Sequence, residues 1–149
     1  MGKQKIIGGI TGGDKKKNHI KLFESFINES KLDKAMDKLQ ALPEGKMFSD
    51  AKNIESVFKK SKHTWSEVIE TFEKHESDSV ESTIPVKDIR ITQPNIQINK
   101  VEKMLNVKDL PLINVVKFKD DYAIYDGHHR LMVAWALGES KIKVNLVTI

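Results

Sequence analysis

The stretch DDYAIYDGHHRLMVAWALG, residues 120–138, passes from a short apolar strand into a helix within a few residues. Residues 122–125 are typical of a strand, and Asp126-Gly127 is a pair that favours a tight corner. The apolar run that follows predicts a helix, which Gly138 is placed to end in a left-handed cap. The candidate chemistry of the chain is concentrated at this strand-to-helix corner.

The segments around this corner predict an α+β fold. Residues 110–118 form a β-rich run that turns back at Asp120-Asp121, which predicts a hairpin. Residues 142–149 alternate like a final strand, and residues 99–107 carry the pattern of a short helix. The Pro-interrupted, extended segment 84–91 is consistent with an edge strand. This mixture predicts a small mixed sheet with helices.

The first half of the chain has helical spacing and predicts an N-terminal helical region. Thr64-Trp65-Ser66-Glu67 matches a capping box, in which a hydroxyl and a carboxylate satisfy free amides at the start of a helix. Trp65, Val68, Ile69 and Phe72 are expected on one side of that helix, in the core. The four expected helices carry their apolar residues within 20–27, 32–42, 51–58 and 65–72.

The positive charge of the chain lies at its N-terminus. The formal net charge is +4, and residues 1–18 contain five lysines and one aspartate, which is five minus one, or +4. A flexible basic tail of this kind touches phosphates without reading sequence, and a solubilising, disordered end is the alternative. Because residues 76–83 are polar, we expect a tail over 1–18, a helical region and connection over 19–83, and a domain over 84–149.

Composition excludes several classes of protein. The chain has no cysteine, which rules out disulfides, thiolate zinc sites and cysteine catalysis. No apolar run approaches the length that crosses a bilayer, and the N-terminus lacks the apolar block of a secretory signal. We therefore expect no membrane partner and a location in the cytoplasm, or in a virion if a phage encodes the chain.

The corner residues are suited to an anion. The amides at the start of a helix are free and favour negative charge, Gly127 permits close approach, and Arg130 offers a planar fork of donors. His128 and His129 can donate hydrogen bonds or transfer protons near neutral pH. Asp126 can cap the helix, orient a histidine or bind a metal ion carried by a nucleotide. The alternative is a capping aspartate followed by basic surface residues.

Residues 84–149 resemble the ParB/sulfiredoxin superfamily, in particular the compact ParB-like (ParB-like nuclease) domains of bacteriophage and polymorphic-toxin proteins. The resemblance is carried by ordered motifs, which are Thr92-Gln93-Pro94, Leu110-Pro111-Leu112-Ile113-Asn114-Val115-Val116, Tyr125-Asp126-Gly127-His128-His129-Arg130-Leu131 and Leu137-Gly138. It implies a phosphate site at the corner.

The known corners of this superfamily match only in part. In chromosome-partitioning ParB the corner reads Gly-Glu-Arg-Arg and helps to hold CTP phosphates; Gly127 and Arg130 match it. In sulfiredoxin it reads Gly-Cys-His-Arg, and because His128 replaces the reactive cysteine, sulfiredoxin chemistry is excluded. In ADP-dependent serine kinases an acidic residue precedes the glycine, as Asp126 does here. Their second acidic residue is replaced by Gln93, which cannot act as a general base.

Two function classes follow from the resemblance. The first is a nucleotide- or nucleic-acid-binding accessory protein of a phage, with Gly127, His128, His129, Arg130 and Gln93 at the phosphate. The second is a nuclease, nucleotide hydrolase or kinase, with His128, His129 and Asp126 as catalytic residues. Mg²⁺ bound with a nucleotide is the expected cofactor, and the N-terminal helices could contact a protein partner. The helix-turn-helix of ParB normally follows this domain, and because the sequence ends at Ile149 we expect no partition function.

Overall fold

The structure is a computed structural model that describes residues 30–149. The expected basic tail and the expected helix over 20–27 lie outside the described residues. Residues Ala35–Ile149 form one compact unit, and the other unit, Met1–Lys34, is described only over 30–34.

The order of the elements is that of an α+β protein. Helix α1 is described over residues 30–40, and Ala35 and Leu39 on one of its faces are buried. The remaining elements, in chain order, are β1 (Ala51–Asn53), α2 (Trp65–His75), β2 (Val80–Pro85), β3 (Ile89–Arg90), β4 (Asn95–Gln97), α3 (Ile98–Met104), β5 (Ile113–Phe118), β6 (Asp121–Asp126), α4 (His128–Ala136) and β7 (Lys141–Thr148). Short 3-10 turns at Glu76–Asp78 and Val86–Asp88 follow α2 and β2 respectively.

The central sheet is small and mixed, as predicted. Its five strands follow the order β2-β7-β5-β6-β3. The predicted hairpin is the antiparallel pair β5–β6, while β5 pairs with β7, and β3 with β6, in parallel. The extended segment expected at an edge supplies both edge strands, since β2 and β3 are the outer members. Strands β1 and β4 form a separate antiparallel pair.

The two faces of the sheet carry different helices. Val68 and Phe72 of α2 pack in one cluster with Val116, Phe118 and Ala123 of the hairpin. Because neighbouring side chains on a strand point to opposite faces, Ile113 and Val115 face the other side, where α4 packs. Helix α4 begins directly after the end of β6, the place where the candidate site lies.

Helix α2 begins as the sequence predicts, with one exception on its apolar side. The Thr64 hydroxyl accepts from the Glu67 amide, and the Glu67 carboxylate accepts from the Thr64 amide, which completes the capping box. Trp65, however, is 46% exposed and does not lie in the core. Its indole N–H donates to the carbonyl of Tyr125 at 2.9 Å. Tyr125 lies at a bulge in the β5–β6 ladder, which leaves that carbonyl available.

The prediction of a helix over residues 51–58 is wrong. Ala51–Asn53 is strand β1, and the Asn53 side chain accepts from the Glu55 amide at 2.8 Å. An asparagine that bonds to the backbone two residues ahead favours a turn over a helix. The pattern still predicted burial correctly at Ala51, Ile54 and Phe58, because spacing reports which residues are inside more reliably than it reports the type of element.

The polar stretch at 76–83 does not coincide with a break in the described body. Strand β2 begins at Val80 and pairs with β7 from its first residue to its last. The compact unit Ala35–Ile149 therefore continues through the position where we expected a boundary. Within β2 only Ile84 is buried and the other residues are exposed or half-buried, which suits an edge strand.

No helix within residues 30–149 is long and apolar enough to span a bilayer.

Candidate functional site

Gly127 makes the corner between β6 and α4. Its backbone is left-handed, with a φ of 110°, a conformation that glycine adopts without strain. A β-carbon there would lie 2.4 Å from Cγ2 of Ile113, so the close approach of the corner to β5 also requires glycine. No side chain caps the first turn of α4, and its amides remain available to an anion.

His128 is a buried, neutral side chain. Only 3% of it is exposed, and its Nε2 atom accepts a hydrogen bond from the Thr92 amide at 3.1 Å. The Thr92 hydroxyl in turn donates to the carbonyl of Ile124 at 2.8 Å. Burial, and secondarily the neighbouring His129, lowers the pKa of His128 to about 4. The ring therefore ties Thr92, which follows β3, to the start of α4, and it is not protonated near neutral pH.

His129 points to a different neighbour and is half-buried. Its Nε2 atom accepts from the Gln97 amide at 3.1 Å, so in the neutral ring the proton lies on Nδ1, which can donate. Burial lowers the pKa of His129 first, Lys100 lowers it further, and Asp50 opposes them. Lys100 is exposed, and none of the ion pairs within residues 30–149 includes it. A free cation and a hydrogen-bond donor thus lie beside the uncapped helix.

Arg130 points back into the protein. Its side chain is 14% exposed, and Nη1 donates to the carbonyls of Pro111 and Leu112 at 2.9 and 2.8 Å. Nη2 donates to Asp126 Oδ2 at 3.0 Å. The guanidinium therefore connects α4 to the segment that leads into β5, and most of its donors have partners within the protein.

Asp126 and Gln93 lie at the surface of the corner. Besides Arg130, Asp126 Oδ2 accepts from the Asn114 amide group at 3.4 Å, and the Asp126 side chain is about half exposed. The Gln93 side chain donates to the carbonyl of Asn95 at 3.1 Å and is exposed. The predicted residues are thus neighbours in the fold. The two most buried ones, His128 and Arg130, form their hydrogen bonds with other groups of the protein.

Divalent metal chemistry has limited support from the side chains of this corner. The described residues contain no group of three His, Asp or Glu side chains that could hold a metal ion. Mg²⁺ is commonly bound by one or two carboxylates together with substrate phosphates. Asp126 fits that arrangement through the oxygen that Arg130 and Asn114 do not occupy.

Sequence reasoning missed Lys100. It lies in the first turn of α3 (Ile98–Met104), where no acidic residue is present. A lysine at the start of a helix opposes the helix dipole, so the stability of α3 does not account for it. That mismatch was visible in the sequence, but its proximity to His129 depends on the packing of α3 against α4.

Neither the family models nor the curated proteins include a match to this chain. Among solved structures, the chain is similar to sulfiredoxin from Arabidopsis thaliana, with a TM-score of 0.41 and 23% sequence identity. The match covers 47% of this chain and 86% of that chain.

Proposed function

We propose that this protein binds a phosphate-bearing ligand, a nucleotide or a nucleic acid, at the first turn of α4. The observation that carries the proposal is the uncapped helix start at Gly127, flanked by the unpaired cation of Lys100 and by the Nδ1 donor of His129. The motif resemblance supports the same corner. Binding without turnover is the function that this arrangement favours.

The physical basis is a set of donors with no internal acceptor. The amides at the start of α4 carry a partial positive charge and have no side-chain cap. Lys100 adds a full charge within electrostatic range of His129. A phosphate placed there would accept from the amides and from His129 Nδ1, and its negative charge would be attracted by Lys100.

His128 and Arg130 support this site indirectly. The His128 ring holds Thr92 against the start of α4, and Arg130 holds the segment before β5 against α4. They are positioning residues, since their polar atoms already have partners. In the enzymatic alternative, His129 and Asp126 are the residues left with free polar atoms for acid–base chemistry, because a His128 ring with a pKa of about 4 is a poor proton donor near neutral pH.

The finer assignments extend the proposal. The motif resemblance and the basic residues within 1–18 are the basis for four finer proposals. These are a phage accessory or virion role, DNA binding, nuclease activity and Mg²⁺ carried by a nucleotide. Under this proposal the corner supplies phosphate binding, and the basic N-terminal residues supply salt-sensitive affinity for a polymer. The helices before residue 84 are proposed to contact a protein partner.

Trp65 provides a reporter for the test. The chain contains two tryptophans, and the exposed Trp65 ring is anchored to the carbonyl of Tyr125, two residues before Gly127. In a Trp135→Phe background, the emission of Trp65 is titrated with ADP and with inorganic pyrophosphate, each with and without Mg²⁺. We expect a saturable change with both probes, and about tenfold weaker binding after Lys100→Gln, since a charge-assisted interaction is lost.

Lys103→Gln is the matched control, because Lys103 is an exposed lysine on the same helix. It should leave affinity unchanged within about twofold. Equal weakening by both substitutions would indicate general charge attraction, and the absence of saturable binding to either probe would refute the proposal. Phosphate release is measured in parallel. If the protein is an enzyme, His129→Gln should lower the turnover rate by about a hundredfold while most of the affinity is retained.

A further inference from the structure

A second cavity lies at the opposite end of β6 from the corner. It has a volume of about 430 Å³, which is within the range of small-molecule sites. Its walls are Val57, Lys59, Lys87, Asp88, Arg90, Asp120, Asp121 and Tyr122. We call it the Asp121 pocket. Strand β6 has six residues, so about 17 Å of strand separates this pocket from Asp126.

Backbone hydrogen bonds bring the walls of the Asp121 pocket together. The Ile91 amide donates to the carbonyl of Lys59 at 2.9 Å, and the Ser61 amide donates to the carbonyl of Ile91 at 2.8 Å. Arg90 is paired with Ala123 in the parallel β3–β6 ladder. The segment before α2 and the edge strand β3 are therefore held side by side, over the start of the hairpin's second strand.

Three cationic side chains of the Asp121 pocket have no internal partner. Lys59, Lys87 and Arg90 take part in none of the side-chain hydrogen bonds or ion pairs within the described residues. Arg90 is half-buried. Arg130 is likewise half-buried, but within residues 30–149 the Arg90 guanidinium donates to no carbonyl or carboxylate, unlike that of Arg130. A half-buried cation without an acceptor is suited to an external anion.

Asp121 contributes a second, independent feature. It is 7% exposed, and its Oδ2 atom accepts from the Ser61 hydroxyl at 2.6 Å and the Lys62 amide at 3.3 Å. Its Oδ1 atom is buried without any hydrogen-bond partner. A buried carboxylate oxygen without a hydrogen-bond partner lowers the stability of the fold. Stability therefore does not explain why an aspartate occupies this position.

The charges limit the ligand to a small one. Lys62 neutralises Asp120 at 2.8 Å, which leaves Lys59, Lys87 and Arg90 against Asp88 and Asp121. This is three positive charges minus two negative ones, or +1. The acidic residues disfavour a polyanion, and the surrounding cations disfavour a metal ion or an ammonium group. Val57 and the Tyr122 ring supply an apolar wall for a carbon skeleton.

We propose that the Asp121 pocket binds a small hydroxylated organic anion, such as a sugar phosphate or a hydroxy acid. The anionic group of the ligand contacts Arg90, with Lys59 and Lys87 around it. A hydroxyl of the ligand donates to Asp121, whose Oδ1 atom has no hydrogen-bond partner among the described residues. This site does not depend on the phosphate site at α4, and each can fail without the other.

The test uses amide NMR spectra of the full chain, titrated with glycerol 3-phosphate, D-glycerate, inorganic phosphate and glycerol. We expect saturable shifts at the amides of Arg90, Asp121 and Tyr122 with glycerol 3-phosphate, D-glycerate or both, and the stronger of the two identifies the anionic group. Inorganic phosphate should bind about tenfold more weakly because it has no carbon skeleton and no alcohol at the required distance. Glycerol, which has no charge, should not saturate.

Arg90→Gln should weaken the stronger ligand by about tenfold or more, and Lys59→Gln by a smaller factor. Lys74→Gln, on the exposed end of α2, is the matched control and should have no effect. Each variant's spectrum without ligand reports whether its fold is intact. The proposal is overturned if no organic anion produces saturable shifts at these amides, or if Arg90→Gln and Lys59→Gln both leave affinity unchanged. Shifts confined to Gly127 and His129 would assign the anion to the corner and also reject this pocket.

Discussion

The two adjacent histidines at the start of α4 have different environments because the helix directs their rings to different neighbours. His128 is enclosed between α4 and Thr92, and its ring serves as an acceptor. His129 is half-buried, accepts from the amide of Gln97, and has its pKa lowered by burial and by the nearby Lys100. Identical side chains at consecutive positions therefore divide into a structural residue and a candidate ligand-binding residue.

The depressed pKa of His128 predicts a loss of stability in mild acid. Its pKa falls from 6.5 to about 4 on folding, so the unfolded chain takes up a proton at a pH where the folded chain does not. The contribution of neutral His128 to the free energy of unfolding is complete above pH 6.5 and is lost as the pH falls from 6.5 towards 4. Its size is about 3 kcal/mol, and the lowered pKa of His129 acts in the same direction.

Urea unfolding of the wild type and of His128→Gln, between pH 7.5 and pH 4.5, measures this effect. The amide oxygen of glutamine can accept from Thr92 without titrating, so the free energy of unfolding should depend less steeply on pH in the variant. Parallel pH dependences for the two proteins would show that His128 is not buried in its neutral form.

Two glycines with left-handed backbones provide a matched comparison. At Gly138 the φ is +78° and no atom lies within 4 Å of an added β-carbon, whereas at Gly127 the φ is +110° and Ile113 Cγ2 lies at 2.4 Å. Gly138→Ala should therefore cost about 1 kcal/mol from backbone strain alone. Gly127→Ala should cost about 3 kcal/mol or more, because steric overlap adds to the strain. Similar costs in urea unfolding would contradict the close approach at the corner.

At the scale of elements, the arginine side chain of α4 acts as a connector. The guanidinium of Arg130 joins α4 to the carbonyls of Pro111 and Leu112, immediately before β5. The corner is thus held from two sides, by Gly127 packed on Ile113 and by Arg130 across the start of the strand. This explains how α4 and the sheet keep a constant geometry at the proposed phosphate site.

Replacing Arg130 should therefore affect stability before it affects binding. Arg130→Met keeps the apolar stem but removes the charge-assisted hydrogen bonds, and we expect the free energy of unfolding to fall by about 2 kcal/mol. Arg90→Met is the control, because the Arg90 side chain has no hydrogen-bond or ion-pair partner within residues 30–149, and its effect should be within about 0.5 kcal/mol. A large loss for Arg90→Met would reveal a structural role for that residue instead.

At the scale of the whole molecule, the excess positive charge lies in residues outside the part of the chain that the structure describes. The excess of +4 is contained in residues 1–18, and the rest of the chain has equal numbers of basic and acidic side chains. The corner can bind a phosphate through a few local donors, but residues 19–149, which carry no net charge, provide little long-range attraction for a polymer.

This distribution predicts how DNA binding would respond to salt. Deleting residues 1–18 should flatten the dependence of log K on log salt concentration by roughly four phosphate contacts, since each neutralised phosphate contributes about 0.9 to the slope. Pyrophosphate binding at the corner should be unchanged by the deletion. An unchanged slope for DNA would show that the polymer contacts residues 19–149 instead.

The sequence by itself determined the elements that depend on neighbours in the chain. The hairpin, the capping box at Thr64, the corner at Gly127 and the left-handed cap at Gly138 were all predictable. Turn residues, alternation and capping hydroxyls act over two to four positions, so a linear pattern contains the information they need.

The tertiary structure alone decided where the side chains of the site are directed. The burial of His128, the enclosure of Arg130, the approach of Lys100 to His129 and the unpaired oxygen of Asp121 all depend on contacts between distant segments. The strand at Ala51–Asn53 belongs to the same class, because its partner β4 lies more than 40 residues later in the chain. The type of a residue determines which hydrogen bonds it can form. Whether it forms them within the protein or with a ligand depends on which segments the fold packs against it.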